Sequence, residues 1–227
     1  MNNGTTDVLC MLQQADSFFP SGATSTSSGL ETLVNDGVVG CGEELESFIR
    51  GQIRWRWLPF ERLIVVASIR CCCDNSILTD LDHQVHAQSL VAEEREGSIR
   101  TGRALLRIHA DMNTVGAADY QGLVRTKVAR GHNPVIQGLV WGRLGIPEAK
   151  GELMSAHTFS IKFLGASIRL GIIGHTEAQS ILGRLHREIL DGISRPCPHA
   201  DKVTSFCPEQ EIGLMRHERL ESRLFIN

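Results

Sequence analysis

What the sequence has little of narrows its class first. Aromatic residues make up 5% of the chain, with a single tyrosine and three tryptophans. Tyr120, Trp55, Trp57 and Trp141 show no spacing that would stack successive bases. The net charge is −3, which gives no electrostatic case for nucleic acid or for an anionic membrane. No unbroken apolar run is longer than Leu63 to Ala67, which is far too short to span a bilayer. Met1 to Asp7 shows no basic region followed by an apolar one, so no signal peptide is expected and the cytoplasm is the expected location. Strongly alternating stretches are missing as well, which argues against a sheet.

Enzyme signatures are equally scarce. There is no G-x-S-x-G elbow, and no G-x-G-x-x-G following a strand. His217-Glu218-Arg219-Leu220-Glu221 begins like a zinc helix but lacks the second histidine. Ala23 to Glu31 is rich in small hydroxyl residues, yet no lysine follows where a phosphate loop needs one. Glu93 and Glu94 are adjacent carboxylates on a polar helix, a pattern that ordinarily marks a solvated face.

Seven cysteines is an odd number, and Cys71, Cys72 and Cys73 are consecutive, so no disulfide framework is expected. Consecutive helical residues point about 100° apart, and three such thiols do not converge on one metal. They read as small, mostly buried hydrophobes in a reducing compartment.

What is present is helical periodicity along nearly the whole chain. Val8, Leu9, Met11 and Leu12 start a helix that Pro20-Ser21-Gly22 ends. Glu43 and Glu44 sit where a helix first turn favours negative charge, and Leu45, Phe48, Ile49 and Ile53 follow at helical spacing. Pro59 is expected to stop that helix and start the next, whose Leu63, Ile64, Val66, Ala67 and Ile69 make it central. A long helical stretch is expected from about Thr79 to Met112, with a possible interruption at Gly97, and another from Ala117 to Arg130. In Gly131-His132-Asn133-Pro134, Asn133 reads as an N-cap and Pro134 as the first helical residue. Glu148 to Leu170 is apolar on most sides and reads as the hub. Thr176 and Gln179 fit a capping box for the helix that carries Ile181, Leu185 and Ile189.

The fold expected is all-α, a single-domain bundle of roughly ten helices with a mobile C-terminal tail. Residues 1–194 form the domain. Residues 195–227, with Pro196, Pro198 and Pro208, form a connector and a tail that closes on Leu224, Phe225 and Ile226. Large apolar groups at a terminus are costly to leave in water, so this tail either folds back on its own core or is covered by a partner.

Two weak metal candidates stand out. His83 and His86 are spaced i,i+3 and share a helix face. Cys197 and His199, with Cys207 ten residues beyond Cys197, offer thiolate and imidazole. Neither set supplies enough ligands for a closed site, and a nickel-binding carrier stays the alternative function.

Several segments together resemble one family. They are Pro20-x-Gly22-Ala23-x-Ser25-x-Ser27-x-Gly29-Leu30-Glu31; Arg95-x-x-Ser98-x-x-x-Gly102-x-x-Leu105-Leu106; Gly131-His132-x-Pro134-Val135; Ile168-Arg169-Leu170-Gly171 with Gly174, Thr176, Glu177 and Gln179; and Arg216-His217-Glu218 with Ser222-Arg223-Leu224-Phe225. In this order they are similar to the UreF family of urease accessory proteins. Thr24, Thr26 and Ser28 depart from the family pattern, as does Arg219 to Glu221. The resemblance implies a homodimeric all-α protein with no catalysis and no cofactor of its own. It implies a scaffold and GTPase regulator in the nickel metallocentre assembly of urease or of a urease-like relative. The implied partners are a UreD/UreH-type accessory protein, a UreG-type GTPase and apo-urease. On that resemblance Arg216, His217, Glu218, Ser222, Arg223, Leu224 and Phe225 meet the accessory protein. Pro20, Gly22, Ser25, Ser27, Gly29, Glu31, Gly131, His132 and Pro134 are structural or interface residues.

Overall fold

The computed structural model describes residues 3–16, 19–20, 26–220 and 222–225, with side chains from Val8 onward. It is all-α, and no strand occurs among the described residues. In chain order the helices are α1 (Asn3–Ala15), α2 (Leu30–Asn35), α3 (Gly42–Gln52), α4 (Arg62–Arg70), α5 (Asn75–Gln88), α6 (Ala92–Asp111), α7 (Ala117–Arg125), α8 (Asn133–Arg143), α9 (Glu148–Arg169), α10 (His175–Ile193) and α11 (Pro208–His217). A π-helical stretch, Ile53–Glu61, joins α3 to α4.

Two apolar clusters make the core. One gathers α4, α5 and α8 around Ile64, Leu78, Ile136 and Trp141. The other gathers α3, α9 and α10 around Leu45, Trp57, Phe163 and Leu185. Helix α4 is buried on nearly every side, as its unbroken apolar run demands. Its crossing with α8 is close because Gly138 has no side chain. A Cβ there would lie 2.4 Å from the Ser68 Cβ and 2.5 Å from the Val65 carbonyl.

Pro59 does not stop a helix as expected. It lies inside a continuous helical run, within the widened π turn. Proline has no N–H to offer the carbonyl four residues back, and its ring crowds that carbonyl. An extra residue in the turn relieves the crowding. The released Trp55 carbonyl accepts the Phe206 N–H at 3.1 Å, and the Pro59 carbonyl accepts the Thr204 N–H at 3.0 Å. The proline-containing connector is therefore tied to the body of the molecule. Arg62, buried on α4, adds to this. It pairs with Glu152 at 2.8 Å and donates to the carbonyls of Gly192 and Arg195.

Other boundaries differ for local reasons. The expected Thr79–Met112 helix is two helices broken at Ser89–Val91, where Arg95 folds back to donate to the Ser89 and Leu90 carbonyls at 2.7 and 2.8 Å. Gly97 lies within α6 and does not interrupt it. Helix α7 ends at Arg125. The N-cap of α8 is His132, one residue before the expected Asn133, with Pro134 in the first turn. No capping box forms at α10. Its N-cap is Gly174, and the Thr176 carbonyl accepts from Ser180 instead.

Candidate partner-docking site

The first and last of the recurring segments meet. Gly29 adopts φ +85°, a conformation in which a side chain is strained. A Cβ there would also lie 2.8 Å from the Gln210 carbonyl, while one on Gly213 would lie 2.9 Å from the Gly29 carbonyl. Helices α2 and α11 thus approach backbone to backbone. Leu30 enters the core, and Glu31 faces the tail.

Glu31 is the centre of the arrangement. Its carboxylate accepts from His217 Nε2 at 2.9 Å, from the Leu224 N–H at 2.6 Å and from the Phe225 N–H at 3.2 Å. The other ring nitrogen, His217 Nδ1, lies 2.7 Å from Glu93 Oε1 on α6. Phe225 is 3% exposed, packs into the second core cluster, and lies with Arg169 4.2 Å over its ring. Leu224, next to it, is 59% exposed.

The tail residues therefore divide into two sets. His217 and Phe225 point inward. Arg216, Glu218, Ser222, Arg223 and Leu224 point outward, as do Ile212 and Met215 of α11. Arg216 is fixed by Asp36 at 2.6 Å. The sequence reading grouped all the tail residues as one partner-facing set. Ile212 and Met215 were not in that set, although Ile212 lies one turn before both Met215 (i,i+3) and Arg216 (i,i+4).

The second and third segments also meet. Gly131 has φ +86°, and the backbone that it turns lies against Gly102, where a Cβ would stand 2.2 Å from the Gly131 carbonyl. Ser98 Oγ accepts the Asn133 N–H and bonds His132 Nδ1, both at 3.2 Å. Asp82 on α5 is fully buried and accepts three backbone N–H groups of the turn, from Arg130, Gly131 at 2.9 Å and His132 at 2.7 Å. Pro20 is exposed, Ser27 and Pro134 are buried, and Gly22 and Ser25 lie outside the described residues.

Two histidines in this framework are buried neutral. Burial pushes His109 and His132 down to about 4. His109 Nε2 lies 3.0 Å from Gln14 Oε1, and Nδ1 lies 2.9 Å from Thr114 Oγ1. The unfolded chain binds these protons near the ordinary value of 6.5, the folded chain only near 4. Their stabilising contribution is thus complete above about pH 6.5 and is lost as pH falls toward about 4. Thermal melting between pH 7 and 4 should show Tm falling over that window. His109→Gln should flatten the slope. An unchanged slope in that variant would remove His109 from the account.

The metal candidates do not converge. Among the described residues no three His, Cys, Asp or Glu side chains are placed to hold a metal ion. His83 is bonded to the Val128 carbonyl at 2.9 Å, and His86 to His132 at 3.2 Å. Cys207 is buried at the N-cap of α11, Cys197 packs on the first core cluster, and exposed His199 pairs with Asp201 at 3.1 Å.

A cavity of about 240 Å³ opens between α1, α6, α8 and α9. Its wall carries Arg56, 2.9 Å from Glu94 and stacked over Phe60. Lys162 lies over the rings of Phe159 and Phe163. Of its hydroxyls, Ser155 accepts the Trp57 N–H and Thr158 donates to the Ser155 carbonyl.

What these segments build is a class of all-α protein whose recurring residues lock helices together and tether a tail with an outward face. The comparison with known proteins gives the family. The UreF family model matches residues 39–186, and the chain belongs to the UreF family. It is 30% identical to the urease accessory protein UreF of Trichodesmium erythraeum over the full length of both chains. It is also 30% identical to that of Bacillus sp. (strain TB-90), covering 97% of this chain and 99% of the relative. Identity to that of Haemophilus influenzae is 25%, covering 100% of this chain and 98% of the relative.

Proposed function

We propose that this chain is a non-catalytic scaffold in urease maturation. It joins a UreD/UreH-type accessory protein to a UreG-type GTPase, regulates that GTPase, and presents the assembly to apo-urease in the cytoplasm. Nickel is handled by the complex, and the chain has no cofactor of its own. It acts as a homodimer. The exposed apolar stripe of Val8, Leu9 and Leu12 on α1 is the kind of surface that such an assembly covers.

The observation that carries this reading is the tail. Glu31, His217 and Phe225 hold it so that Arg223 and Leu224 stand in solvent, as do the apolar Ile212 and Met215 of α11. Fixing a backbone residue costs about 1–2 kcal/mol, and a pre-ordered tail has met that cost before a partner arrives. Residues 195–227 thereby serve as connector and docking element, with residues 1–194 as the platform.

The test is capture of the cognate accessory protein by the full-length chain and by the Arg223→Ala/Leu224→Ala variant. Both side chains are exposed, so the melting temperature should not change. Capture should weaken at least tenfold, and recruitment of the GTPase should fall with it. Equal capture by the two proteins would remove the tail as the docking element.

A further inference from the structure

The cavity between α1, α6, α8 and α9 has a charged side chain on its wall with no oxygen to bond. On α9 that wall is Ser155, Thr158, Phe159, Lys162 and Gly165, whose spacing puts them on one helix face. Lys162 is half-buried there, with Nζ 4.9 and 4.6 Å from the ring centroids of Phe159 and Phe163. Among the described residues it makes no ion pair and no hydrogen bond. An ammonium carries three N–H donors and no acceptor, and one withdrawn from water ordinarily finds an oxygen. Ring faces attract the charge by their quadrupole but leave those donors without an oxygen. Burial pushes the Lys162 amine below its ordinary value, against Glu61 and Glu94, whose charges favour the ammonium. Both carboxylates already face Arg56, at 3.6 and 2.9 Å.

There is room on the same face. A Cβ added to Gly165 would meet nothing within 4 Å. The cavity of about 240 Å³ has the volume of about eight waters. That is below the ~300–1,000 Å³ of sites for drug-sized molecules, so its occupant is small. Gln137 of α8 and Thr101 of α6 bring an amide and a hydroxyl to the wall, and Phe60, Phe159 and Trp141 bring rings.

Charge decides the class of occupant. Arg56 and Lys162 balance Glu61 and Glu94 one for one. A ligand carboxylate would therefore add an unbalanced negative charge beside Glu61 and Glu94, and a ligand cation an unbalanced positive one. We propose that this cavity binds a small uncharged carboxamide with an apolar body. Its carbonyl oxygen accepts from the Lys162 ammonium, Gln137 and Thr101 offer oxygens to its N–H group, and its body lies against the rings. No covalent bond forms or breaks. The inference stands apart from the scaffold reading, since it uses none of the tail residues.

Benzamide, phenylacetamide and hexanamide are the probes, followed by saturation-transfer NMR and calorimetric titration of the full-length chain. At least one should bind with a Kd below about 1 mM, as a ligand of this size in a preformed site can. Benzoate and toluene, which carry the wrong charge and no polar group, should bind at least tenfold more weakly than benzamide. Lys162→Met keeps an unbranched side chain over Phe159 and Phe163 without the ammonium, and should weaken the bound amide at least tenfold. Gly165→Leu fills the open space and should abolish binding, while the exposed Lys202→Met should leave it unchanged. Thermal melts check that each variant is folded. Failure of all three amides to bind the native chain would overturn the site, as would binding that survives both Lys162→Met and Gly165→Leu. Benzoate or toluene bound as tightly as benzamide would overturn the choice of ligand.

Discussion

Glu31→Ala is expected to detach the end of the chain. One carboxylate accepts from the His217 ring and from the backbone N–H groups of Leu224 and Phe225. Removing it leaves three donors without that partner, and a buried donor left unpaired costs about 1–3 kcal/mol. The chain avoids part of this cost by letting the tail go. It then gives up the burial of Phe225, worth about 1.5–3 kcal/mol. The smaller of the two routes sets the loss, about 3 kcal/mol.

Hydrogen exchange reads the outcome directly. The Leu224 and Phe225 amides should change from protected to exchanging at the rate of an open chain, while amides of α4 and α8 keep their protection. Arg216→Ala is the control. Its ion pair with Asp36 is largely exposed on the arginine side, and such pairs contribute less than about 1 kcal/mol. Protection of Leu224 and Phe225 that survives Glu31→Ala would show that the apolar seat of Phe225 holds the tail unaided. In the scaffold reading the same variant also loses capture of the accessory protein, because Arg223 and Leu224 no longer have a fixed position to present.

Much of the fold was legible because helical periodicity and punctuation are local. The apolar run at Leu63–Ala67 demanded a buried helix, and α4 is one. Gly171 ends α9 with φ +74°, as a glycine after a long helix should. The misplaced boundaries share a physical origin in contacts from elsewhere in the chain. Pro59 has a stop signature, but a π turn accommodates the ring, and residues 204 and 206 bond the carbonyls of Pro59 and Trp55. Ser89–Val91 carries no glycine or proline, and its break is stabilised by Arg95 from the next helix.

The site was legible in part. The resemblance to UreF singled out Gly29, Glu31 and the tail, yet no one-dimensional pattern says that Glu31 reaches His217 across 186 positions. Nor does spacing separate Phe225, turned inward, from Leu224, turned outward. Adjacent residues of an extended segment take opposite sides, and only the tail's path fixes which side is which.

Asp82 is the clearest residue that sequence reading passed over, and it carries the other large expected effect. In the sequence it is one acidic residue in a polar stretch with Asp80, His83 and His86, where a carboxylate is ordinarily solvated. In the fold it is fully buried and receives the N–H groups of three consecutive residues, Arg130 to His132. Those groups cannot bond within α8, because they precede its first turn. Asp82→Ala leaves all three without an acceptor in the interior. At about 1–3 kcal/mol for each orphaned donor, less what water entering the gap restores, the loss should be about 4 kcal/mol. Asp82→Asn keeps one acceptor oxygen of the same shape and should cost about half as much.

Denaturant melts measure both variants. The loop also carries His132, so the tests are linked. In Asp82→Asn the negative charge that favours a protonated His132 is gone, which moves that histidine further below its ordinary range. The acid limb of the stability curve should therefore extend to lower pH in Asp82→Asn than in the native chain. If Asp82→Ala melts with the native protein, the three amides find other acceptors, and the lock between α5, α6 and α8 does not rest on Asp82.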